Sequence, residues 1–205
     1  MLMAAFLSAP PTPPVPGLCT APAAQNVEKP GCYLSAEIPL VDALPVPFWH
    51  VYEFAGTRQA DAEQVAHRLA TVVVAHRRTW LYVLGGPDES VGGGGTRRAV
   101  IGPLRVPAGE VHARLMESIF TPGMRTRVHS HGGPEAFDVV DGEQCMESPT
   151  DWRKLGAGST CAVAGGPHVQ SAPRGRRNLV LILAPTDQPW STPRNDWTPS
   201  GFCDG

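Results

Sequence analysis

The sequence predicts an all-β fold, an antiparallel sandwich or barrel with one short helix near its start, and three observations carry that expectation. The chain of 205 residues holds 22 Gly and 22 Pro, about 21% together where roughly 12% is usual, which means many turns. Charged residues are only 18%, which excludes long solvated helices and coiled coils. Short β-branched and aromatic runs recur through the body, each bounded by Gly, Pro or Asp, the pattern of hairpin-linked strands. The length suits one domain with its own core. A formal charge of -2, with no Lys/Arg run longer than two residues, leaves no basic face for a nucleic-acid partner.

Taken in order, residues 1–30 read as a Pro-rich leader with seven of the 22 prolines. Residues 1–7, MLMAAFL, are apolar, but no basic residue precedes Lys29. Two readings stay open, the tail of a secretory signal or a disordered leader. No later apolar run reaches the 18 or so residues needed to span a bilayer. Residues 57–69, TRQADAEQVAHRL, contain neither Gly nor Pro and place Ala62, Val65, Ala66 and Leu69 at helical spacing behind a candidate cap at Thr57. Strands are expected at 71–75, 80–84, 99–104, 111–120, 136–140, 160–164 and 179–184. Gly92, Gly93, Gly94 and Gly95 read as a slack hairpin tip, lacking the GK[ST] or GxGxxG continuation of a nucleotide loop.

The chemistry concentrates in residues 122–142, PGMRTRVHSHGGPEAFDVVDG. His129 and His131 are two apart, so on a strand both imidazoles project from one face. Glu135 follows a Gly132-Gly133-Pro134 turn that can return its carboxylate beside them. Two imidazoles and a carboxylate form the facial set of non-haem Fe(II), also accepted by Mn, Ni, Cu or Zn. Asp141-Gly142 reads as a hairpin turn. Arg125 and Arg127 alternate with the motif and are candidates for binding a substrate carboxylate, with a solvated face as the competing reading. His50 and His112 have structural readings first, and Arg174, Arg176 and Arg177 are expected to face water.

The spacing Gly123-x5-His129-x-His131-x3-Glu135-x6-Gly142 resembles, position for position, the first signature motif of the cupin superfamily. The resemblance implies a double-stranded β-helix, a small antiparallel jelly-roll barrel, over residues 31–205, with its metal-binding core at about 99–185. Residues 163–168, VAGGPH, resemble the second motif, Pro-x-Gly-x-x-His, with Val163 in place of Pro. They imply His168 as a fourth ligand beside His129, His131 and Glu135. The Asn that often follows is replaced by Ala172, and the preceding glycine is displaced by one residue. The chain is also similar, over about residues 31–203, to a group of uncharacterised exported bacterial single-cupin proteins. Gly31-Cys32-Tyr33, Phe48-Trp49-His50, Ile101-Gly102-Pro103-Leu104 and the ending WTPSGFC carry that similarity.

That group implies export to the periplasm or beyond, with a cytoplasmic site as the alternative, and it brings no known reaction. It also supports pairing of Cys32 with Cys203, which open and close the body. The competing reading leaves the thiols free and buried, and Cys19 is the candidate left unpaired by an odd count of five. The implied function is a metal-binding protein with one divalent ion, Fe2+ first and Mn, Ni, Zn or Cu behind it. It would act on a small molecule by dioxygenase-type oxidation; isomerase or lyase chemistry, or a non-catalytic binding module, are the alternatives. Cupins often pair as homodimers through sheet edges, and no membrane span is expected.

Overall fold

A computed structural model describes Cys19, residues 28–41 and residues 45–204. Most of the leader expected over residues 1–30 therefore lies outside the described residues. The elements are β1 (Gly31–Pro39), β2 (Phe48–Phe54), α1 (Thr57–Gln64), β3 (Ala70–Ala75), β4 (Arg78–Gly85), β5 (Thr96–Ile101), β6 (Val111–Phe120) and β7 (Met124–Arg125). Then follow β8 (His129–Ser130), β9 (Glu135–Glu147), β10 (Trp152–Gly156), β11 (Thr160–Val163), β12 (Val169–Ala172), β13 (Arg176–Pro185) and β14 (Thr192–Pro193).

All pairings are antiparallel, and they form the curled sheets of a jelly-roll barrel. The main path runs β1-β6-β13-β9-β12-β7, with β10 and β11 also paired to β9. Strand β9 serves both walls. Its first half pairs with β13 and β11, its second half with β10 and β12. The bend between them falls at Gly142, whose φ is +77°, and a Cβ there would lie 2.1 Å from the carbonyl oxygen of Gly175. Asp141-Gly142 is thus a kink inside one continuous strand rather than the hairpin turn expected. Only glycine tolerates that φ and that approach.

Residues 48–101 form a second sheet, β3-β4-β2-β5, that the strand pattern anticipated only in part. It lies on the outer face of the barrel. Leu115, Leu179, Leu181 and Leu183 pack there with Trp49, Val51, Trp80 and Tyr82. The inner face presents Met116 of β6, Phe137 of β9, and Val180 and Ile182 of β13. Both faces of β6 and β13 are therefore covered, which is why residues 179–184 of β13 read as a continuous apolar run rather than as alternation. Burying each such side chain contributes about 1.5–3 kcal/mol. The expected helix is present but shorter, ending at Gln64, and Gly56 occupies the N-cap with no side-chain bond, so Thr57 does not cap it. Its last predicted turn gives way because residues 65–69 lead directly into β3.

The cysteines pair differently from the expectation. Cys145 bonds Cys203, Cys19 bonds Cys32, and Cys161 is the free thiol. Cys32 begins β1 opposite Ser118, whereas Cys145 lies in the second half of β9 beside Ser171, whose hydroxyl donates to the Cys203 carbonyl at 3.1 Å. The C-terminal segment closes on the β9–β12 wall, away from the edge strand that carries Cys32. Sequence position at the two ends of the body says nothing of that distance.

Candidate metal centre

Two short backbone ladders set the site. His129 and His168 exchange both backbone hydrogen bonds, at 3.1 and 2.9 Å, and the His131 N–H donates to the Gly165 carbonyl at 2.7 Å. Gly165 has φ +94°, and a Cβ on it would stand 2.3 Å from the Gly133 carbonyl oxygen. The turn before His168 thus presses against the turn before Glu135. These contacts bring one donor atom each from His129, His131, Glu135 and His168 within 4.8 Å of one another.

The ring orientations are fixed by the backbone. Nδ1 of His129 faces the Arg127 carbonyl at 2.8 Å, Nδ1 of His131 the Trp190 carbonyl at 2.5 Å, and Nδ1 of His168 the Gly166 carbonyl at 2.8 Å. A carbonyl only accepts, so each Nδ1 carries a proton and each Nε2 points inward, the nitrogen left to bind a metal. There Glu135 Oε2 lies 3.2 Å from His131 Nε2 and 2.9 Å from His168 Nε2. His131 Nε2 is buried and makes no well-formed hydrogen bond, its charged neighbour being Glu135 alone. Four convergent donors with an orphaned imidazole nitrogen among them fit a divalent transition metal.

Electrostatics follow from burial and crowding. Burial would raise the Glu135 carboxyl, but His131 and His168 outweigh it and hold the group well below the usual carboxylate range. Burial, with His168 beside it, lowers His129 to about 4. His131 meets the same burial, yet Glu135 more than offsets it and holds the imidazole above its ordinary value.

His129, His131 and Glu135 lie on the wall of an open cavity, with His168 buried behind them. Its walls are largely apolar, with Met116, Phe120, Val128, Val180 and Trp190 prominent. The Trp190 ring stacks on His131 with centroids 5.9 Å apart, and the Arg114 guanidinium sits 5.3 Å from that ring. Arg127 lines the cavity; Arg125 does not, because it pairs with Asp204 at the surface. His50 is fully buried against the Gly86 carbonyl, and His112 pairs with Glu37 on β1, so both are structural.

Two residues of the site were missed from sequence. Gln170 is buried and its Nε2 donates to Glu135 Oε2 at 3.1 Å. Its place two residues beyond His168 puts it on the same strand face, which was the available signal. Arg176, expected in water, is 4% exposed and lines the cavity. As the first residue of β13 it lies over the Phe120 ring at 4.0 Å. Nothing in its local sequence distinguishes it from Arg174 or Arg177.

Comparison with known proteins gives limited likenesses. No protein family and no curated protein matches the sequence. Among solved structures, a cupin superfamily protein from Desulfitobacterium hafniense is 14% identical with a TM-score of 0.34, over 35% of this chain and 67% of its own. The DMSP lyase DddQ from Ruegeria pomeroyi is 20% identical with a TM-score of 0.35, over 40% of this chain and 42% of its own. Salicylate 1,2-dioxygenase from Pseudoaminobacter salicylatoxidans is 18% identical with a TM-score of 0.32, over 34% of this chain and 19% of its own.

Proposed function

We propose that this chain is a metal-dependent cupin enzyme that binds a small molecule in the barrel mouth and oxidises it by dioxygenase-type chemistry. The observation that carries this reading is the orientation of the three imidazoles. Backbone carbonyls hold all three Nδ1 protons, so His129, His131 and His168 offer Nε2 to one point beside Glu135. A merely structural histidine cluster has no need of three rings turned the same way. His129, His131, Glu135 and His168 would hold one divalent ion, Fe2+ first, and the bound ion would supply oxygen activation or Lewis-acid polarisation.

The chain's own residues do the remaining work. Gln170 holds the Glu135 carboxylate in place at 3.1 Å. Trp190 fixes the His131 ring both through its carbonyl and by stacking. The apolar wall of Met116, Phe120, Val128 and Val180 excludes water from the ligand and leaves few polar groups to orient it. Two disulfides support an oxidising compartment as the place where the protein works.

Elemental analysis of protein purified without added metal tests this, with His129→Ala as control. The expected result is one equivalent of metal in the wild type and little in the variant. No stoichiometric metal, or full retention by His129→Ala, sinks the site. Iron, with oxygen consumption in a screen of small organic substrates, supports the oxidative reading. Zinc or nickel without oxygen consumption transfers it to lyase or isomerase chemistry.

A further inference from the structure

The cavity contains a buried cation that the metal site does not use. Arg176 is 4% exposed, and the acceptors around its side chain are neutral amide oxygens: Oε1 of Gln170 at 3.0 Å from Nη2, and Oε1 of Gln144 against Nη1, with the Asn178 amide beside it. Its Nε–H is buried with no partner. No carboxylate among the described residues lies within ion-pairing reach of the guanidinium. Burial pushes its pKa down to about 9, with the Glu135 charge opposing, so it stays charged at neutral pH. A buried charge without a counter-ion is costly, and proteins retain one where a ligand supplies the missing partner. Glu135, whose charge reaches it, is committed to the imidazoles and would be committed to a metal.

We propose that Arg176 anchors an anionic group of the ligand, a carboxylate, so that this cavity takes a small organic acid with an apolar body. The inference rests on reading the cavity as the ligand site and names the substrate class. Beyond the N–H groups given to Gln144 and Gln170, the guanidinium keeps its Nε–H and a second N–H on each Nη for a carboxylate. The Phe120 ring beneath it and the apolar wall opposite suit the hydrocarbon part of such an acid. Through Gln170 the same arginine touches the metal donors: Arg176 Nη2–H donates to Gln170 Oε1, and Gln170 Nε2–H donates to Glu135 Oε2. An acid held by Arg176 would therefore lie one glutamine away from Glu135 and the metal donors.

The test is calorimetric titration with benzoate and its neutral counterpart benzamide, on metal-free and on zinc-loaded full-length protein. Benzoate is expected to bind about tenfold or more tightly than benzamide in both forms, as befits a charge-assisted contact. Arg176→Gln should erase that preference, and Arg176→Lys should retain part of it. Equal binding of the two probes, no benzoate binding at millimolar concentration, or an unchanged preference in Arg176→Gln overturns the proposal. A preference seen only with zinc present assigns the carboxylate to the metal and also overturns it. Should Arg176→Gln fail to fold, Arg127→Gln decides: persistence of the preference supports Arg176, and its loss gives the role to Arg127. Failure of the metal reading would show separately, as absent metal stoichiometry with the benzoate preference intact.

Discussion

Removing the Cys145–Cys203 disulfide should cost the protein about 4 kcal/mol of stability. The bond closes a loop of 58 residues. Chain-entropy loss of -2.1 - 1.5R ln n cal/mol/K for that loop gives about 4 kcal/mol at 25 °C, against about 3 for the 13-residue separation of Cys19 and Cys32. The perturbation is the double variant Cys145→Ser/Cys203→Ser, which leaves no stranded thiol. Urea unfolding followed by circular dichroism measures it, and a melting point about 8–16 °C lower is expected for a body of this size. The local structure adds to the loss, because the bond holds the C-terminal strap that accepts from Ser171 and carries Asp204 to Arg125. A loss under about 1 kcal/mol, or a non-reducing peptide map linking Cys32 to Cys203, would refute the reasoning.

Three further outcomes are expected. Gln170→Leu removes a hydrogen bond to Glu135 without touching a donor atom, and should weaken metal binding about 10–100-fold in competition with a chromophoric chelator. In metal-free protein His129, lowered to about 4, refuses a proton that the unfolded chain takes near 6.5. Its contribution is thus intact above pH 6.5 and lost as pH falls toward 4, by up to about 3 kcal/mol. Wild-type stability should drop relative to His129→Gln over that range, and parallel pH curves would count against the assigned burial. Buried His76 is lowered also and acts with the same sign, whereas the raised His131 has the opposite one, stabilising at low pH and fading as pH rises. Phe137→Ala, at a fully buried position inside the barrel, should cost about 3–5 kcal/mol by denaturant unfolding.

Much of the barrel was legible because its strands obey local rules. The runs at 111–120 and 179–184 became β6 and the greater part of β13, the second because a strand covered on both faces takes apolar residues throughout. The spacing of His129, His131 and Glu135 was equally readable, because a two-residue period places side chains on one face whatever the partner strands are. Asp141-Gly142 misled for a related reason. The pair suits a hairpin and a kink alike, and only the crossing of Gly175 decides between them.

What the sequence by itself determined is local: turn-rich strands, one short helix and a metal-donor spacing at His129, His131 and Glu135. The tertiary structure decided everything that depends on which distant segments meet. It alone placed Cys145 against Cys203, drew Gln170 to Glu135, stacked Trp190 on His131 and buried Arg176 in the cavity while Arg125 went to Asp204. Period and turn chemistry act within a few residues along the chain. The burial of one arginine among several is set by strands that sequence order keeps tens of residues apart.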